Sequence, residues 1–486
     1  MKILILLLPL FMAACSTAPT LTIPATKDLV SAKSFRGAVE AGKEFDRVWW
    51  KSFNDPLLNE LIDAAAKSNL DIRVALLKVD EARVGSTATG SRLFPSVNLE
   101  SSASDTRSGL PSAFKMASPD TRAYRVNLNM NWEIDLLGAA RASLNASEFE
   151  AKAANYGVDA INLMVSSEVA KQYFIWQGAR TRLNLIKTIL NTQKETERLT
   201  ESRLKNGQSS KFDISRASGE SRKIAAQIPE LETLISTTEN RIAVLLNESP
   251  IEVLPLLQHS TEPKQADVPV MASGQPVEIL ERRPDLKVAE MKFEAEQARL
   301  IEKHANQLPK FYLSALFGRE GLTLNSMSLS PVMYSNVALA FAMPIFNAGR
   351  LQAEVDGQSS REKAASLNYE KAVLTAVEDV ENGLVALNKK KEQLSEQIEA
   401  TKQLNISLDH AKSLYREGQI DLLQLLDVQR GVLAEDMSVT ESKTQVLINA
   451  VQLYKAMGGG WKVEQTSVEK SDSNAIGKTK SEKSKS

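Results

Sequence analysis

Tyr124-Arg125-Val126-Asn127-Leu128-Asn129-Met130-Asn131-Trp132-Glu133-Ile134-Asp135 decides the fold of this 486-residue chain. Even positions carry aromatic or aliphatic side chains and odd positions carry polar ones, the period of a β-strand. Three further stretches behave alike. Val97, Leu99 and Ala103 alternate with Asn98, Glu100, Ser102 and Ser104; Phe311, Leu313, Ala315 and Phe317 share one face; Val337, Leu339, Phe341 and Met343 oppose Asn336, Ala338, Ala340 and Ala342. Strands of about ten residues with an apolar outer face and a polar or small inner face suit a membrane barrel with a wet interior. Any one of them also suits a half-buried soluble sheet. Four strands do not close a pore, since closure takes about eight or more, and an open edge in lipid costs several kcal/mol per unpaired backbone group. Either the sheet lies outside the membrane or several chains share one barrel.

Working outward, the chain repeats itself. Asn69-Leu70-Asp71-Ile72-Arg73-Val74-Ala75 parallels Arg283-Pro284-Asp285-Leu286-Lys287-Val288-Ala289, and Phe94-Pro95 parallels Leu308-Pro309. Arg203-Leu204-Lys205-Asn206-Gly207-Gln208 parallels Leu414-Tyr415-Arg416-Glu417-Gly418-Gln419, and Leu245-Leu246-Asn247 parallels Ala456-Met457-Gly458. The offset holds between 211 and 214, so the chain is an internal duplication. Each copy opens with a helix (70–92 and 285–307) stopped by Pro95 or Pro309, passes through two strands, and enters a very long helix. Residues 139–205 contain no proline, and a helix of about 65 residues reaches about 100 Å. In the second copy Val373, Val377, Val380, Leu384, Leu387, Leu394, Ile398 and Leu408 follow three- and four-residue steps, broken at Lys391 and Thr401. That is a heptad seam for knobs-into-holes packing. Gly207 and Gly418 end these helices, and return helices are predicted at 211–247 and 421–457. The result is two helical hairpins whose tips lie far from the strands.

Composition narrows the function. Lys+Arg 59 against Asp+Glu 60 leaves a charge of −1, which gives nucleic acid no attraction. His259, His304 and His410 have no metal-ligand spacing, no nucleophile motif or phosphate loop occurs, and Gly458-Gly459-Gly460 follows a helix rather than opening one. Lys2, the apolar run Ile3–Met12 and Ala13-Ala14-Cys15-Ser16 form a secretory signal too short to span a membrane. Cys15, the chain's one cysteine, stands where the pattern resembles a bacterial lipoprotein signal, acylated with diacylglycerol and an N-acyl chain, and Ser16 resembles the outer-membrane sorting signal; a plain signal peptide with an incidental cysteine is the other reading. Beyond the signal no apolar run of 18 residues exists, so a membrane crossing needs strands.

The residues resemble the TolC-like outer-membrane factors, in particular the lipoprotein branch that serves resistance-nodulation-division (RND) pumps. The likeness runs from Trp49-Trp50-Lys51-Ser52-Phe53-Asn54-Asp55-Pro56 to Trp461. It is carried by Leu280-Glu281-Arg282-Arg283-Pro284-Asp285-Leu286, by Pro344-Ile345-Phe346-Asn347-Ala348-Gly349-Arg350 and by Leu453-Tyr454-Lys455-Ala456-Met457-Gly458-Gly459-Gly460-Trp461. Leu137 and Asn347 stand where the family favours Phe and Asp. The resemblance implies a mainly α fold with a small transmembrane β part: a homotrimer in which four strands per chain make a shared twelve-stranded barrel, continued by a helical tube. It implies a periplasmic membrane-fusion adaptor and an inner-membrane RND transporter as partners, contact with outer-membrane lipid, no enzymatic activity and no cofactor beyond the lipid on Cys15.

The same resemblance places a periplasmic gate in Leu422-Leu423-Gln424-Leu425-Leu426-Asp427-Val428-Gln429-Arg430. Leu423 forms an apolar ring, Asp427 a ring of carboxylates, and Arg430 a pairing that holds the helices shut. The plainer reading makes Leu423 a core residue and Asp427–Arg430 a solvated pair. Gly207 and Gly418 are the expected adaptor-docking tips; simple helix termination also accounts for them.

The organisation expected is a signal peptide at 1–14, a lipidated extension at 15–55 and a first repeat at 56–250, with strands 94–106 and 122–135. A linker at 251–275 leads to a second repeat at 276–461, with strands 310–319 and 335–344, and a disordered polar tail at 462–486. Competing functions are the duct of a type I protein secretion system and a non-conducting structural lipoprotein. A polar lumen of Asn, Ser, Glu and Ala names no cargo.

Overall fold

The computed structural model describes residues 48–111, 114–115, 117–258, 282–325 and 327–459. Cys15 and the signal, residues 259–275 of the expected linker, Trp461 and the tail lie outside them. In chain order the elements are α1 (Pro56–Ser68), α2 (Leu70–Gly90), β1 (Ser96–Thr106), β2 (Thr121–Ile134), α3 (Ala139–Lys205), α4 (Lys211–Ala225), α5 (Ile228–Leu246) and α6 (Pro250–Gln258). The second copy supplies α7 (Pro284–Ala305), β3 (Lys310–Leu324), β4 (Met327–Ser328), β5 (Val332–Ala342), α8 (Arg350–Arg416) and α9 (Leu422–Ala456). The long helices α3 and α8 have the same length, 67 residues.

Two compact units cut across the repeats. The described residues of the first are 70–160 and 282–382; those of the second are 48–69, 161–258 and 383–459. Each unit therefore draws equivalent segments from both copies.

The first unit holds the sheet, an antiparallel path β1-β2-β3 with β5 on the far side of β3 and β4 as a short hairpin arm. The register pairs Leu99 with Leu128 and Leu128 with Phe317, and stacks Trp132, Leu313 and Leu339 in one row. All the apolar alternates thus fall on one face. That face is not covered: Leu99, Val337 and Leu339 are 72%, 76% and 71% exposed. Among the described residues, β1 and β5 each pair on one edge only. β3 continues past Arg319 to Leu324, because β2 supplies a ladder as far as Thr121↔Leu324 and Arg125 Nε donates to Glu320 across it at 2.8 Å. Within the same unit, Leu286 packs on Tyr369, Val373 and Ala376. Arg283 clamps this contact through Asp285 (2.7 Å) and Asp379 (3.0 Å), which explains the Arg-Pro-Asp segment structurally.

The second unit is helical. Trp49 stacks on Tyr454 with centroids 5.3 Å apart, and Phe53 meets Phe174 at 5.1 Å. Asp55 caps α1 by accepting from Leu57 and Leu58 N–H and takes a 2.7 Å hydrogen bond from Tyr173. Two expectations are corrected here. The first return helix is not continuous: α4 closes at Ala225 and α5 begins at Ile228, because Pro229 has no N–H and its ring crowds the carbonyl four residues back. In α8 the seam passes through polar residues rather than around them. Lys391 and Thr401 are half-buried and Gln397 Nε2 bonds Ser438 at 2.5 Å, whereas Ile398 is 47% exposed. Burial pushes the Lys391 ammonium below its ordinary pKa.

Candidate functional site: helical tips and apolar sheet face

Both tips follow one construction. Gly207 and Gly418 take φ of +70° and +78°, a left-handed conformation that side chains with a Cβ resist. Around Gly207 the N–H of Gln208 bonds Arg203 O (2.8 Å) and that of Gly207 bonds Leu204 O (2.9 Å). Around Gly418 the N–H of Gln419 bonds Leu414 O (2.8 Å) and that of Gly418 bonds Tyr415 O (3.1 Å), so the last helical carbonyls are satisfied alike. Capping boxes then restart the chain, Ser210 with Asp213 and Asp421 with Gln424. Neither glycine has an atom within 4 Å of where a Cβ would sit, so both tips face open space.

Four residues on, α9 divides its side chains sharply. Leu422, Leu425 and Leu426 are buried with Ala217, Leu408, Ala411 and Tyr415. Leu423 points away, 44% exposed, and Asp427 is exposed as well. Leu423 is therefore no core residue of this chain. Arg430 donates to Glu220 Oε2 at 2.8 Å, joining α9 to α4. That hydrogen bond holds the Arg430 guanidinium above its ordinary pKa, with the Asp427 charge as a smaller contribution. The Arg430 Nε is enclosed and without a partner. Among the described residues Arg430 thus pairs across helices and not with Asp427 along its own.

Sequence reasoning missed Arg203. Its guanidinium lies 4.1 Å from the Tyr415 ring centroid and donates to Tyr415 O and, at 3.2 Å, to Arg416 O. A cation in the last turn of a helix was the available signal, but its acceptors belong to the other copy's helix.

The sheet is a separate candidate site: an apolar face open to its surroundings, backed by Asn127, Asn129 and Asn131 on the opposite side. No described helix is long and apolar enough to cross a membrane. No group of His, Cys, Asp and Glu among the described residues has metal-binding geometry.

The sequence matches the family described as outer membrane efflux protein twice, over residues 61–248 and 276–459. The chain belongs to that family. Its membership makes it an outer-membrane efflux channel protein, and the double match follows the two copies. It is 28% identical to the cation efflux system protein CusC of Escherichia coli O6:H1, over 95% of this chain and 99% of that protein. It is 26% identical to the probable outer membrane lipoprotein SilC of Salmonella typhimurium, over 86% and 88%. The solved outer-membrane channel OprN superposes with a TM-score of 0.82 at 27% identity, covering 92% of this chain and all of OprN (100%). The mainly helical fold with an antiparallel sheet is the fold of this efflux family.

Proposed function

We propose that three copies of the chain pool their long strands, four each, into one twelve-stranded barrel, and that the assembly is the passive, gated exit duct of a tripartite RND-type efflux system for small molecules. The observation that carries this reading is the pairing of an exposed apolar sheet face with two open sheet edges. A lone sheet of this kind is unstable in lipid, and edge-to-edge closure removes every unpaired backbone group at once. A periplasmic adaptor and an inner-membrane transporter complete the system; the open space around Gly207 and Gly418 supports their reading as the adaptor's docking tips.

Leu423 and Asp427 supply the gate, being the side chains of α9 that leave the chain's own core free for partners around the axis. Like charges gathered at Asp427 oppose closure, and contacts such as Arg430–Glu220 oppose opening. Cys15 carries the lipid; the name of the relative SilC supports this assignment.

Purified, acylated protein tests the reading directly. A trimeric mass in mild detergent together with discrete conductance steps in planar bilayers is expected. A monomeric, electrically silent protein overturns it. Intact mass measured against a Cys15→Ser variant reports the acylation. A deletion strain is expected to gain sensitivity to dyes, detergents or metal ions while its exported-protein levels stay constant, which separates efflux from type I secretion.

A further inference from the structure

Rows across the sheet give the apolar face a vertical order. At the helix-bearing end Ile134, Phe311 and Phe341 share a row; the next is Trp132, Leu313 and Leu339. Toward the loop-bearing end come Leu99, Leu128 and Phe317, then Val126 with Arg319 and Met333, then Tyr124 with Gly321, and last Asp105 with Arg122 and Thr323. From Ile134 to Val126 the face runs about 27 Å along the strand. Tilted as barrel strands are, that is about 20 Å, close to the outer-membrane apolar band of about 25 Å. Arg319 therefore sits on the membrane side of the sheet at the outer boundary of that band.

Its chemistry is unusual for such a place. The other cations of these rows are matched: Arg122 with Asp105 at 3.0 Å, and Arg125, on the opposite face, with Glu320. Arg319 is exposed and makes no hydrogen bond or ion pair with any described residue. Beside it Gly321 contributes no side chain, and a Cβ there would meet only Pro331, at 3.9 Å. The gap opens a depression of about 510 Å³ lined by Arg319, Tyr124, Leu128, Phe317, Met333 and Pro331. β3 is flanked by β2 and β5 of its own chain, so the depression is complete without a neighbouring copy.

We propose that this depression binds a phosphorylated, acylated glycolipid of the outer leaflet, its phosphate on Arg319 and an acyl chain along Leu128 and Phe317. The proposal rests on the barrel reading above. A guanidinium at the apolar boundary lacks an anion, phosphate is its bidentate partner, and lipid A brings phosphate and acyl chains together at that depth.

The test uses full-length protein in mixed micelles with bis-phosphorylated lipid A, the same lipid stripped of phosphate, or phosphatidylglycerol, and counts retained lipids by native mass spectrometry. Wild-type protein is expected to retain lipid A at least about tenfold better than the stripped lipid or phosphatidylglycerol. Arg319→Gln removes that preference and Arg319→Lys keeps most of it. Gly321→Leu, which fills the gap and leaves the charge, weakens retention as Arg319→Gln does. Arg125→Gln on the opposite face changes nothing. Equal retention by wild type and Arg319→Gln overturns the proposal, as does equal retention of the stripped lipid; phosphatidylglycerol held as well as lipid A overturns the choice of occupant. Conductance of the same samples separates the two readings. Conducting trimers with unselective lipid binding sink the lipid site alone, whereas silent monomers in every sample sink the channel.

Discussion

The Arg203 guanidinium lies over the Tyr415 ring, 4.1 Å from its centroid, and donates to the Tyr415 and Arg416 carbonyls. One copy's long helix thereby closes the end of the other's: Tyr415 O already accepts from the Gly418 N–H, and Arg203 adds a second donor there and one at Arg416 O. Arg203→Ala is expected to lose about 1–2 kcal/mol locally, from the cation–π contact and the charge-assisted bonds. Tyr415→Phe keeps ring and carbonyl and gives up only the hydroxyl's buried 3.4 Å contact with Thr200 Oγ1, so about 1 kcal/mol or less is expected to be lost and protection at 414–420 should stay close to wild type. Hydrogen exchange at 414–420 reports the difference; unchanged protection in Arg203→Ala refutes the capping role.

Arg430 and Glu220 join the two return helices near the proposed gate. Because the arginine side chain is 37% exposed, the coupling in a double-mutant cycle should be modest, about 0.5–1 kcal/mol. The larger effect is expected in conductance. Arg430→Ala and Glu220→Ala should each raise resting current, and the double variant should add little to either. Fully additive currents would mean that the pair does not act as one latch.

Leu423 and Asp427 make the opposite pattern. Both are exposed, so Leu423→Ser and Asp427→Ala should leave melting within about 0.5 kcal/mol of wild type. Single-channel recording is where they should differ, with altered resting current and, for Asp427→Ala, weaker cation selectivity. A large loss of stability without a change in current returns Leu423 to a packing role.

Much of this was legible in the sequence for physical reasons. Period-two alternation at Tyr124–Ile134 and glycine at the tips are local signals, set by pleat and by φ. What was not legible depends on register between distant segments. Arg203 has meaning only once α3 and α8 end side by side, and the gap beside Arg319 exists only because Gly321 lies opposite Tyr124. Glu320 and Gly321 carry no strand signal of their own, so residues 320–324 of β3 lie beyond the expected strand and are held by the ladder with β2. Ile398 misled for another reason: its spacing suits a seam, but the packed positions there are held by Lys391, Gln397 and Thr401. Pro229 marks in the sequence the break between α4 and α5, which the second copy's unbroken α9 does not share.

Gly178 is a close-approach position. A Cβ there would collide with Thr444 Oγ1 and lie 2.9 Å from Thr444 Cγ2, so α3 and α9 meet through the missing side chain. Gly178→Ala gains about 1 kcal/mol of helix propensity and loses about 1–3 kcal/mol to overpacking. A lower melting temperature by circular dichroism is expected. Combining it with Thr444→Ala, which removes both crowding atoms, should restore most of the loss. A stabilised single variant would show that the helices part freely at this level.

Glu362 on α8 is 1% exposed, and both its carboxylate oxygens are enclosed without a hydrogen-bond partner. Burial raises its pKa above 4.5, with Lys363 offsetting part of the shift. The native state then holds this proton to higher pH than the unfolded chain does. Its contribution to stability is intact below pH 4.5 and is lost as pH rises through the folded pKa, because the charged form is costly in an enclosed site. Glu362→Gln cannot titrate and keeps the shape. Its advantage over wild type should be close to nothing at pH 4.5 and should grow steadily toward pH 8, because only the glutamate then carries an unpaired charge in the enclosed site. Melting curves of both proteins across that range decide it: a constant difference, or a wild type more stable at pH 8, would mean that the carboxylate is solvated or paired after all.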